Sequence, residues 1–262
     1  MMDKEDSSFT LLGRKIFFLN PLPPVQNEVV DELIQREYEA YVVRDRTALR
    51  RSLKSLPGSI IFIDIDQIIT EKEWENWIRE VMKAEDLEDI RIGILTGNRS
   101  DLLQNKYANM LKLPGAYTML HRDLKITIAQ ILNILNANNA KGRRKYLRAV
   151  IEKEGQTVVN FPSGGRFLSG TVGDISTAGF SCVFNEDPGF PQNSTFSNVQ
   201  IKLKHTIINV EVTILGSRVE GNDRMYVALL SDRTSPDTKV KIRKYIQVNL
   251  QARMDALIGK NA

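Results

Sequence analysis

At residues 136–142, Asn136-Ala137-Asn138-Asn139-Ala140-Lys141-Gly142, the chain changes rhythm, and that change constrains its fold more than any other feature. Before this stretch, helical and strand-like periodicities alternate; after it, strand-like segments follow one another with no helix between them. Asn and Gly cluster at the change itself, where helical spacing stops. A chain of 262 residues has room for two ordinary domains. The expected organisation is a first domain over residues 13–136, a linker over 137–148, and a second domain over 149–262.

In the first half, residues 15–19 (KIFFL), 38–43, 59–65 (SIIFIDI), 91–95 and 116–120 read as strands. The SIIFIDI run is apolar and β-branched, as expected of a strand buried on both faces. Between the strands, Val25, Val29, Leu33 and Ile34 fall at helical spacing, residues 47–56 form a second helix closed by Pro57-Gly58, and Thr70-Glu71-Lys72-Glu73 reads as a capping box. A fourth helix is expected over 100–111. Asp123 caps a fifth, bearing Leu124, Ile128, Ile131, Leu132 and Leu135. Five βα units imply a parallel sheet with helices on both faces, a flavodoxin-like α/β architecture.

The second half reads as all-β. Six segments are strand-like: 148–159, 166–172, 179–184, 198–204, 207–218 and 224–231. Pro162-Ser163-Gly164-Gly165 and Gly221-Asn222-Asp223 are turn signals between them. Six short strands predict a small antiparallel barrel. Ser235-Pro236-Asp237 then opens a C-terminal helix whose apolar stripe, Ile242, Ile246, Leu250, Met254 and Leu257, is expected to pack on the barrel.

Charge is unevenly distributed. Residues 1–140 hold 18 Lys and Arg against 21 Asp and Glu, a net −3, whereas residues 141–262 hold 18 against 11, a net +7. A basic half suggests an anionic partner: nucleic acid, a phospholipid surface or a small phosphorylated ligand. The polar start, MMDKEDSSFT, and the lack of an apolar run of ~20 residues predict a cytoplasmic protein with neither secretory leader nor membrane span. The single cysteine, Cys182, reads as a small core residue, and with only two histidines a His/Cys zinc site is not expected.

Two short patterns carry the chemistry. Arg143-Arg144-Lys145-Tyr146-Leu147-Arg148 places two arginines four apart, Arg144 and Arg148; Asp174-Ile175-Ser176-Thr177-Ala178-Gly179 reads D-x-S-x-x-G between strand-like segments. Singly, a basic linker is often a solvated segment and an Asp-x-Ser pair often a local turn. Together, in this order and at this spacing, they resemble the PilZ domain, the bacterial receptor for cyclic di-GMP. The resemblance implies a ligand set of Arg144, Arg148, Asp174, Ser176 and Gly179. It also implies a role for Arg143 toward a second guanine, and so two intercalated ligand molecules. The chemistry suits that ligand. A guanidinium fork pairs bidentately with phosphate oxygens or with guanine O6 and N7, and a carboxylate accepts from guanine N1–H and N2–H.

The first half resembles a response-regulator receiver domain in size and rhythm. A phosphorylated receiver needs an acidic pair after strand one, an acceptor Asp after strand three, a Thr or Ser after strand four and a Lys after strand five. Here strand one ends Leu19-Asn20-Pro21, strand three offers Asp64 and Asp66, strand four ends at Thr96, and strand five is followed by His121-Arg122. Two of the four elements are absent. The reading is a degenerate receiver serving as a docking module, with Asp64 and Asp66 as strand-end carboxylates that cap turns; phosphorylation at Asp64 is the alternative. For the whole chain, the resemblance implies a non-enzymatic cyclic di-GMP effector in a bacterial signalling pathway such as motility or virulence. It would have no other cofactor or metal, and it would meet a protein partner through the receiver-like domain. A nucleic-acid-binding regulator is the second alternative, although no helix-turn-helix pattern follows the receiver-like part.

Overall fold

The computed structural model describes residues 13–151, 157–221 and 223–260. The polar start, residues 152–156 of the strand expected over 148–159, Asn222 of the expected turn and the last two residues of the expected second domain lie outside the described residues. By its contacts the chain divides into two compact units. One runs to Lys145 and includes residues from Gln251 onward; the other is Tyr146–Leu250.

The first unit is a five-stranded parallel sheet of β1 (Ile16–Leu19), β2 (Ala40–Val43), β3 (Ile60–Asp64), β4 (Arg91–Thr96) and β5 (Tyr117–Met119). Strand order is β2-β1-β3-β4-β5, the flavodoxin order. Every residue of β1 and β3 is buried, so the sheet is covered on both faces. The covering helices are α1, formed by a wide π-type stretch Val25–Val30 running into Asp31–Gln35; α2 (Arg46–Ser52); α3 (Glu71–Lys83); α4, formed by Asp101–Gln104 widening into Asn105–Met110; and α5 (Leu124–Ala137). The capping box is present: the Glu73 N–H donates to Thr70 Oγ1 at 3.3 Å, and the Thr70 N–H donates to Glu73 Oε2 at 2.9 Å. Asp45 caps α2 and Asp123 caps α5 through their side chains.

Strand β2 is an open edge of this sheet. Within the first unit, the Gln251 side-chain amide meets it: the Val42 N–H donates to Gln251 Oε1 at 3.0 Å, and Gln251 Nε2 donates to the Val42 carbonyl at 2.9 Å.

The second unit is a closed six-stranded antiparallel barrel of β7 (Thr157–Ser163), β8 (Arg166–Ser176), β9 (Gly179–Phe184), β10 (Thr195–Leu203), β11 (Thr206–Glu220) and β12 (Asp223–Leu230). The strands pair in the order β8-β7-β10-β11-β12-β9, and β9 returns to β8 to close the ring. A short strand, β6 (Arg148–Val150), is added along the end of β8. The single strand expected over 148–159 is therefore two, β6 and β7. Both pair with β8, but in registers that do not continue one into the other. The hairpin from β7 to β8 turns on Gly164 and Gly165, whose φ of +56° and +80° favour glycine.

Phe161, Phe184, Phe190 and Phe196 pack ring against ring inside the barrel, with the Phe190 and Phe196 centroids 4.5 Å apart. Helix α6 (Pro236–Gly259) supplies Ile242, Tyr245 and Ile246 to this core, with Leu250 packed against it. The Tyr245 hydroxyl hydrogen-bonds the Thr157 hydroxyl. Met254, also buried, counts with the first unit. Cys182 is fully buried in the barrel, and burial pushes its thiol up to about 12, so it packs as a small apolar side chain. Among the described residues no helix is long and apolar enough to cross a membrane.

Candidate functional site

Strand pairing builds a site at the start of the barrel. β6 lies antiparallel to the end of β8, placing Arg148 opposite Ser176 and Val150 opposite Asp174. Arg148 and Asp174 are thus diagonal neighbours on one face of the ladder. On the other side of β8, β9 places Ser181 opposite Asp174 and Phe180 opposite Ile175. The register slips between Val172 and Asp174, and the Asp174 N–H donates to the Ser181 hydroxyl at 3.1 Å. A bulge of this kind re-aims the side chain beside it. Arg148 Nη1 lies 3.3 Å from Asp174 Oδ1 and donates to Oδ2 at 3.4 Å. This is a long, solvent-accessible ion pair that another partner can replace at small cost.

The motif's serine and glycine serve the turn between β8 and β9. Ser176 is buried; its hydroxyl donates to the Gly179 carbonyl at 3.1 Å and accepts the Ala178 N–H at 3.3 Å. Gly179 sits opposite Leu229 of β12. A Cβ on Gly179 would fall 2.3 Å from the Ala228 carbonyl oxygen, so β9 and β12 approach closely only because no side chain intervenes.

Arg148, Asp174, Ser176 and Gly179 line one pocket on the barrel surface. Ala228 and Leu229 of β12 border it, and Arg218 reaches it from β11. Four of the six residues expected from the sequence are therefore brought together. Arg143 and Arg144 are exposed and belong to the first unit. Arg218 was not legible as a site residue, because it stands alone in a strand with no motif around it. Chemically, the pocket offers a carboxylate acceptor, two guanidinium forks and an apolar border. Among the described residues, no group of three or more His, Cys, Asp or Glu is arranged to hold a metal ion.

Asp64 and Asp66 of the first unit are engaged locally. Asp64 is fully buried; its oxygens accept the Leu22 and Asp66 N–H groups, each at 3.2 Å. Asp66 accepts the Thr96 hydroxyl and the Gly97 N–H, each at 2.7 Å, tying the loop after β3 to the end of β4. Burial raises the Asp64 pKa to about 6; the two N–H donors oppose the rise, and the Asp66 charge adds to it. The folded carboxyl thus keeps its proton to higher pH than the unfolded one. The stability this confers is fully present below the unfolded pKa and is lost as pH rises through about 6. Urea unfolding of the first unit is expected to show a loss of about 1 kcal/mol between pH 5 and pH 7 from this group. Asp64→Asn should flatten that dependence; an unchanged slope in the variant would assign it to other groups.

No protein-family profile and no curated protein matches the chain. Among solved structures, it is similar to the PilZ domain with c-di-GMP of YcgR from Escherichia coli at 11% identity, covering 45% of this chain and 98% of that one, with a TM-score of 0.38. It is similar to the c-di-GMP complex of MrkH from K. pneumonia at 14% identity, covering 46% and 55%, with a TM-score of 0.36. It is also similar to the inhibitor of motility MotI/DgrA of Bacillus subtilis at 15% identity, covering 40% and 50%, with a TM-score of 0.34. The match spans about half the length of the MrkH and MotI chains.

Proposed function

We propose that this chain is a cyclic di-GMP-binding effector whose ligand sits on the barrel pocket, held by Arg143, Arg144, Arg148, Asp174, Ser176 and Gly179. One observation carries the reading. Arg148, Asp174, Ser176 and Gly179, four of the residues that the PilZ resemblance implies, line a single pocket. Asp174 accepts the Watson–Crick N–H groups of a guanine, which releases Arg148 from its loose pair for O6, N7 or a phosphate oxygen. The Ser176 hydroxyl holds the turn that presents Asp174. Arg143 and Arg144, just upstream in sequence, add the cations a doubly charged ligand requires. Binding orders the 137–148 linker and changes the arrangement of the domains expected over 13–136 and 149–262. The receiver-like part then offers an altered surface to a protein partner. The energy for that change equals the ligand's preference for one arrangement over the other. The protein acts as a binding switch and performs no catalytic step.

Titration calorimetry of the full chain with cyclic di-GMP tests this. The expected result is saturable binding with a dissociation constant of about 0.1–10 μM. Guanosine monophosphate, which carries one base and one phosphate, should bind far more weakly. Absence of saturation with the cyclic dinucleotide at high micromolar concentration overturns the reading.

A further inference from the structure

The pocket contains one cation that the motif does not account for. Arg218 lies on β11, opposite Met225 of β12, two strands away from β9. It nevertheless lines the same pocket as Arg148 and Asp174. The backbone explains the reach. The β11–β12 register slips between Ile214 and Gly216, and Gly216 pairs with Val227, itself a pocket residue. Nothing lies within 4 Å of where a Gly216 Cβ would be, so the surface between Arg218 and Val227 is open. A long arginine side chain crosses such a lane without obstruction. At its tip, Arg218 Nη2 is 2.7 Å from Glu220 Oε1 and donates to the Met225 sulfur at 3.6 Å.

Each pocket arginine therefore has an acidic companion: Arg148 has Asp174 and Arg218 has Glu220. The two companions differ chemically. Asp174 borders the pocket and can turn to a guanine, whereas Glu220 is not among the pocket's lining residues. An anion entering the pocket thus competes with Glu220 for the Arg218 fork.

We infer that Arg218 is a fourth arginine of the ligand site, contributed by β11, and that Glu220 holds it in check until a phosphate or guanine edge replaces the carboxylate. This rests on the cyclic di-GMP reading above and adds to it a specificity-determining residue and an internal competitor. The pair is exposed, with side-chain accessibilities of 63% and 50%, so breaking it costs little. A fork engaged with a phosphate gains a shorter, charge-assisted contact. Glu220 lowers affinity without touching the ligand.

Calorimetric titration of the full chain with cyclic di-GMP separates the possibilities. Arg218→Ala is expected to weaken binding about tenfold, the size of one charge-assisted contact. Arg218→Lys should recover only part of it, because a point charge lacks the fork. Glu220→Ala is expected to tighten binding about threefold, and to have no effect when combined with Arg218→Ala. Lys202→Ala, which removes an exposed cation from β10 outside the pocket, is the control for net charge and should leave affinity within about twofold. The inference is overturned if Arg218→Ala matches the unaltered chain, if Lys202→Ala costs as much, or if Glu220→Ala tightens binding without Arg218. Failure of the unaltered chain to bind overturns the functional reading itself, a distinguishable result. Should Arg218→Ala unfold the barrel, Glu220→Ala is judged against Glu186→Ala, which removes an exposed carboxylate outside the pocket; a gain no larger than that control's is a net-charge effect and overturns the inference.

Discussion

Arg148→Ala is expected to raise the dissociation constant for cyclic di-GMP by about a hundredfold or more while leaving the barrel folded. Two effects add. The substitution removes a fork that pairs with a phosphate or guanine edge. It also strips Asp174 of its cation, so that an unpaired carboxylate would face a dianionic ligand. Stability should hardly change, because the pair is long and solvent-accessible, worth about 1 kcal/mol at most. Arg148→Lys keeps the charge, loses the fork, and should fall between the two. Arg144→Ala is expected to lose binding as well, if the arginines four apart act as one clamp. Calorimetry measures the affinities, and thermal unfolding confirms that each variant remains folded. An Arg148→Ala protein that binds within about threefold of the unaltered chain would place the ligand elsewhere.

Gly179→Val is expected to destabilise the barrel by about 3 kcal/mol or more, whether or not any ligand is present. The cause is a clash with backbone, which cannot rotate away as a side-chain tip can. The new Cβ would meet the Ala228 carbonyl oxygen at 2.3 Å and Leu229 Cα at 3.1 Å. Relief requires β9 and β12 to separate at the Gly179–Leu229 pair, one of the ladders that close the ring. Gly216→Ala is the matched comparison: its Cβ would enter open space, and it should cost no more than about 0.5 kcal/mol. Urea unfolding of the two variants tests the contrast, and equal midpoints would refute it. A binding defect in any Gly179 variant would therefore report the state of the barrel before it reported contact with a ligand.

The two architectures were legible where local signals and long-range pairing agree. SIIFIDI is β-branched and apolar, and β3 is buried on both faces in the centre of the sheet. Thr70 and Glu73 are three apart, and they cap α3 as that spacing requires. The Asn- and Gly-rich stretch at 136–142 stands where α5 ends and the strands begin. What was not legible depends on partners distant in sequence. The break between β6 and β7 follows from two registers against β8, which residues 148–159 cannot encode by themselves. Arg218 reaches the pocket through the pairing of β11, β12 and β9, so no spacing along the chain points to it. The need for glycine at 179 comes from Ala228, and only the folded barrel makes them neighbours.

A parallel sheet ends in strands whose outer N–H and C=O groups invite any extended peptide to add itself. At β2 that invitation is declined by a single side chain. The Gln251 amide presents one acceptor and one donor to Val42 in the pattern a sixth strand would use, and a second Nε2 hydrogen bond to Asp255 Oδ1 at 2.7 Å fixes its orientation. The α/β unit thereby fills part of its own β2 edge, at Val42, from the last turns of a helix and with no further strand.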